Sequence, residues 1–120
     1  MKCNFLILLV TALLFSHCSN KNKVPSDIVQ PDEMGNMLFE ITMAEEFVNG
    51  YVAKDSSRNK EVEILKEYQK IYLLHGVSEK NFKDSYDFYK SHPHIFKIVM
   101  DSLDARVQKK RTEMYQTGGA

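Results

Sequence analysis

Cys18 is the residue best placed for covalent chemistry. It follows Met1-Lys2, an apolar stretch from Phe5 to Phe15 and the pair Ser16-His17, and it precedes Ser19-Asn20. A positive start, an apolar core of about a dozen residues and an abrupt polar ending describe an export signal. The run is shorter than the roughly 20 residues that span a bilayer, so a permanent membrane helix is the weaker reading. Cleavage before Cys18 and acylation of its thiol make a palmitate-bearing lipoprotein with Cys18 as the mature N-terminus. The competing reading is an ordinary secretory signal cut nearby, because small residues are usual before such a cysteine and His17 stands there. Cys3, the other cysteine, lies in the segment to be removed. A single mature thiol cannot form an internal disulfide and is a liability in an oxidising compartment, which favours lipidation. Two or three acyl chains hold a protein on a membrane stably, whereas one binds marginally.

Two further positions carry groups able to move protons or bind metal. Glu45 projects among the apolar residues Leu38 and Ile41, and a carboxylate there must find partners or lose its charge. His75 falls in the apolar stripe of the next predicted helix. The expectation is that Glu45 faces inward, held by His75 or by the hydroxyl of Tyr68, Tyr72 or Tyr86. The pair reads first as buried polar groups fixing the register of a small bundle, and second as an acid–base site for an enzyme or a small-ligand binder. His92-Pro93-His94 suggests a metal pair, but histidines at i and i+2 across a helix start do not share a face. Ser91 or His92 as a cap of the following helix is the preferred reading. The chain has no glycine-rich phosphate loop, paired-cysteine knuckle or nucleophile elbow. No cofactor, no metal and no enzymatic activity are therefore expected.

The elements that must position these residues are helical. The first pattern opens at Pro31, with Asp32 and Glu33 beside it, and runs to about Ala53. A second runs from about Arg58 to His75 and stops at Gly76. Ser78 caps a short third helix through Tyr89. Pro93 starts a fourth that reaches about Tyr115. Short connections make sequential helices antiparallel neighbours. The fold expected is all-α, a small antiparallel bundle of three to four helices. The division is a signal over 1–17, lipidated Cys18 with a flexible tether over 18–30, a bundle over 31–116 and a tail over 117–120.

At 100° per residue the inward stripes are Met34, Met37, Leu38, Ile41, Ala44, Val48, Tyr51 and Val52 in the first helix. In the second they are Ile64, Leu65, Tyr68, Ile71 and Tyr72. Phe82, Ser85, Tyr86 and Tyr89 share a face of the third, with Phe88 turned elsewhere. Phe96, Val99, Met100, Leu103, Val107 and Met114 form the stripe of the fourth. The first helix has a second apolar side, Phe39, Met43 and Phe47, roughly in line with Gly35 and Gly50. Either the third or fourth helix covers it, or a partner does.

Charge narrows the partner classes. The chain has 16 basic and 16 acidic residues, and loss of Lys2 with the signal leaves a net charge of about −1 on 103 residues. That argues against nucleic acid, which needs a basic stripe. Arg106, Lys109, Lys110 and Arg111 cluster at the end of the last predicted helix, where cations favour the dipole. The expected partners are the lipid bilayer, through acylated Cys18, and an envelope protein bound at Phe39, Met43, Phe47 and Phe88. A homodimer closed by the same face is the structural alternative.

Several segments in order carry a family resemblance. They are the lipobox-type start, Val29-Gln30-Pro31-Asp32-Glu33-Met34, Ile41-Thr42-Met43-Ala44-Glu45, His75-Gly76-Val77-Ser78 and Phe88-Tyr89-Lys90-Ser91-His92-Pro93. The chain resembles the small Bacteroidota lipoproteins gathered as domain of unknown function 4296. His17, and Met43 with Glu46 around Glu45, depart from that family's commoner pattern. The resemblance implies an exported, helical, membrane-anchored domain, and it transfers no catalytic residue; the lack of an acidic cluster directly after Cys18 separately favours the periplasmic face of the outer membrane.

Overall fold

A computed structural model describes residues 22–118; Cys18 and residues 1–17, expected to be a signal, lie outside the described residues. Four α-helices and one short 3-10 turn account for most of them, and no strand occurs among them. The protein is a small all-α bundle.

Helix α1 (Pro31–Gly50) begins with proline in its first turn, where the missing N–H costs nothing, and with Asp32 and Glu33 at the positive end of the dipole. It stops at Gly50, three residues before the expected end at Ala53. Tyr51 leaves helical geometry, and a 3-10 turn follows over Val52–Lys54. Helix α2 (Lys60–His75) is capped by the Asn59 side chain, which accepts the Val62 N–H at 3.2 Å. Gly76 ends it at φ 64°, a left-handed position that favours glycine. Ser78 caps α3 (Glu79–Ser91) by accepting the Asn81 N–H at 3.1 Å. Helix α4 (Pro93–Thr117) starts after His92 alone.

Helix α1 is the centre of the bundle, packing α2 on one side and α4 on the other. Pairing of Glu45 with Tyr68 and of Glu40 with His75 runs α1 and α2 antiparallel. Asp32 meets Ser102 and Asn36 meets Arg106, so α4 lies parallel to α1. Helix α3 crosses the end of the bundle and packs on both α2 and α4. The core joins Met34, Met37, Ile71, Tyr72, Phe82, Tyr89, Ile95 and Val99.

Four residues assigned to the inward stripes are exposed instead: Tyr51, Leu65, Met100 and Met114. Tyr51 sits where the helix has already ended. Leu65 and Met100 lie one residue, or 100°, past Ile64 and Val99, and so turn to the flank. Met114 lies beyond Val107, after which every described residue of α4 is exposed.

The segment expected as tether is also different from Val24 onward. Val29 is buried, and Val24 and Ile28 pack against the core. The Val29 N–H donates to Ser85 Oγ at 2.9 Å, and the Tyr89 hydroxyl donates to the Val29 carbonyl at 2.5 Å. Asn81 Nδ2 donates to the Asp27 carbonyl at 2.8 Å. One face of α3 thus satisfies a turn-containing strip of backbone that has no helix of its own.

Candidate functional site

The two ionisable residues singled out in the sequence do not meet. Glu45, half-buried on α1, accepts the Tyr68 hydroxyl, one of the three tyrosines expected to hold it. His75 is two helical turns from Tyr68, about 10 Å along α2, and has different partners. Its Nδ1 lies 2.5 Å from Glu33 Oε1 and its Nε2 lies 2.9 Å from Glu40 Oε2. Of the two expected kinds of partner for Glu45 the tyrosine is found and His75 is not, because Glu33 and Glu40, seven residues apart on α1, share the face that meets the end of α2.

The electrostatics follow from these contacts. Burial disfavours the charged His75 ring, but the hydrogen bonds and charges of Glu33 and Glu40 outweigh it, and the pKa is raised above 6.5. With both nitrogens donating, the imidazolium clips two turns of α1 to the end of α2. Burial first, and then the Glu45 carboxylate, push the Tyr68 hydroxyl up to about 12, so it stays a donor at neutral pH. Each group thus has its own partners, Tyr68 for Glu45 and the two carboxylates of Glu33 and Glu40 for His75.

The basic cluster divides. Arg106 is not in a last turn, because α4 continues to Thr117. Its guanidinium reaches Asp32 Oδ1 at 2.9 Å, Asn36 Oδ1 at 2.5 Å and the Ser102 carbonyl at 3.1 Å. The Arg106 hydrogen bond holds the Asp32 carboxyl below its ordinary pKa. Nothing in the sequence period identified this clamp, since its partners lie about 70 residues away. Beside it the α1 backbone comes close to α4: a Cβ on Gly35 would sit 2.8 Å from Ser102 Oγ.

That close approach settles how far the second side of α1 is covered. Gly35 is buried, and Phe39 is half-buried at an open groove shared with Arg106, Lys109 and Lys110 of α4. Further along, cover is lost: Met43 is 40% and Phe47 53% exposed, and the Phe47 ring stacks on Tyr51 at 5.7 Å. Phe88 does not join this face. It is half-buried on α3, packed against the core and stacked on the His92 ring at 4.1 Å.

His92 and His94 have ring centroids 6.3 Å apart. The His92 Nδ1 donates back to the Phe88 carbonyl at 2.7 Å, and Ser91 Oγ donates to the Asp87 carbonyl at 2.8 Å. Both side chains therefore bond back into α3; His92 holds the N-cap position of α4 as expected, but its side chain makes no cap bond there. Among the described residues no three His, Cys, Asp or Glu side chains are grouped to hold a metal ion, and no helix is long and apolar enough to cross a membrane.

No curated protein and no solved structure matches the chain. Residues 25–113 match the family described as Domain of unknown function (DUF4296). The match starts in the Val24–Gln30 strip docked on α3 and ends on α4, past the Arg106 clamp, so it covers the packed unit. On that ground the chain belongs to the domain of unknown function 4296 family.

Proposed function

We propose that this chain is a lipid-anchored envelope protein acting without catalysis, as an accessory or assembly subunit that docks another envelope protein. The anchor is the acylated thiol of Cys18, and the location is the periplasmic face of the outer membrane. The observation that carries the docking half is the uneven cover of α1. Helix α4 closes on Gly35 and Phe39 but leaves Met43 and Phe47 open, with Tyr51 stacked beside them. Apolar aromatic and methionine surface of this kind is enriched where proteins meet. Burying Met43, Phe47 and Tyr51 could contribute roughly 5 kcal/mol before association costs. Shared membrane attachment raises the effective concentration and offsets part of those costs.

The non-catalytic reading is supported by the separate fates of Glu45 and His75, which form two distinct hydrogen-bonded groups and not one joint acid–base site. A photo-crosslinking side chain at Phe47, in cells that retain their envelope, tests the docking face. The expected outcome is a discrete adduct of larger mass that is lost when Met43→Glu is added. No such adduct is expected from the same probe at Lys97. Equal labelling from Phe47 and Lys97 overturns the assignment, and an adduct of twice the chain mass assigns the face to self-association.

A further inference from the structure

We propose that the outer face of α2 and the α2–α3 corner rest on the lipid surface that holds Cys18, an inference that depends on the lipid-anchor reading above. Helix α2 buries Ile71 and Tyr72 against the bundle, and the flank beside Tyr72 carries apolar side chains that the bundle leaves uncovered. Leu73 is 81% and Leu74 74% exposed, and Val62 and Leu65 are open as well. At 100° per residue Val62, Leu65, Gln69 and Leu73 project within about 80° of one another, with Lys66 at the edge. Lysines Lys66 and Lys70 lie beside this strip, each 3.0 Å or less from a glutamate of the preceding turn. An apolar strip edged by lysines whose long stems can reach up to headgroups suits the plane of a lipid interface.

The chain's own path says what this face meets. Residues Ser26–Gln30 line an open groove together with Gly76, Val77, Ser78 and Asn81, immediately after the turn that carries Leu73 and Leu74. The N-terminal strip therefore enters the domain beside the exposed leucines. From Val24 back to Cys18 are six residues, which span at most about 20 Å even if fully drawn out. Because the strip is docked from Val24, a domain held by acyl chains on Cys18 cannot keep its α2–α3 corner far from the bilayer. Glu33, bonded to His75 at that corner, and Phe47 are separated by about 20 Å along α1. The lipid-facing corner and the open docking face can thus be engaged together.

The acylated chain, purified from membranes and reconstituted into phosphatidylethanolamine–phosphatidylglycerol vesicles, tests this with an environment-sensitive fluorophore. The dye is placed at Leu73→Cys or, for comparison, at Lys97→Cys on exposed α4. The expected result is several-fold stronger quenching of the Leu73 dye by acyl-chain quenchers, and several-fold weaker quenching by iodide. Equal behaviour of the two dyes on a chain that floats with the vesicles overturns the α2 face while leaving the anchor standing. Protection of the Leu73 dye in lipid-free solution also overturns it, assigning the face to protein contact. Mass spectrometry showing Cys18 without acyl groups overturns the anchor reading and this proposal with it.

Discussion

Tyr89 and Ser85 carry more of the fold than their residue types suggest. Both are fully buried, and together they satisfy the N–H and the carbonyl of Val29. Tyr89→Phe leaves that carbonyl buried without its donor, and Ser85→Ala leaves the N–H without an acceptor. Each variant is expected to lose about 1–3 kcal/mol in denaturant unfolding. Protease cleavage near residues 24–28 should become faster as the strip detaches, and unchanged cleavage would refute its docking. His75 supplies the pH dependence. Its folded pKa lies above its unfolded value near 6.5, because the bonds and charges of Glu33 and Glu40 overcome burial. The stabilisation is therefore fully present below about pH 6.5 and is lost as pH rises through the folded pKa. Unfolding midpoints measured from pH 6 to 9 should fall in the wild type and flatten in His75→Gln. Salt should weaken the effect, because both carboxylates are partly exposed. Residue type alone did flag His75 and Glu45, and it named Tyr68 among the candidate partners. It could not name Glu33 and Glu40, because a helix projection gives a direction around one axis and not the register against another.

At the scale of elements, two glycines of α1 separate packing from propensity. Gly35 faces Ser102 with no room for a methyl group, whereas Gly50 has nothing within 4 Å of a built Cβ. Gly35→Ala is expected to cost about 1–3 kcal/mol, since the α1–α4 approach must open. Gly50→Ala should stabilise by about 0.5–1 kcal/mol through helix propensity. Equal effects in chemical denaturation would show that α4 does not press on α1 at Gly35. Pro31 and Ser78 at a start and Gly76 at an end were readable because they act within one turn, whereas the Asn59 cap and the stop of α1 at Gly50 were not read. The Arg106 clamp and the docking of Val24–Gln30 were not readable. Their partners are distant in sequence, and a short irregular strip with an unremarkable composition has no period to reveal it.

For the whole molecule, the arrangement is a bundle with exposed leucines at the α2–α3 corner, the proposed lipid contact, and an open face at Met43–Phe47, and the paired crosslinking and quenching outcomes belong to this scale. Either can fail without the other, since the two surfaces lie on different helices. The sequence by itself determined that the domain is helical, where its helices begin and which faces are apolar, because those follow from caps and a 3.6-residue period. Only the tertiary structure decided that α4 lies parallel to α1 and covers Gly35 and Phe39 but not Phe47. It likewise decided that Glu33 and Glu40, rather than Glu45, hold His75. Helix order and crossing depend on which close approaches many side chains allow at once, and no local pattern encodes that sum.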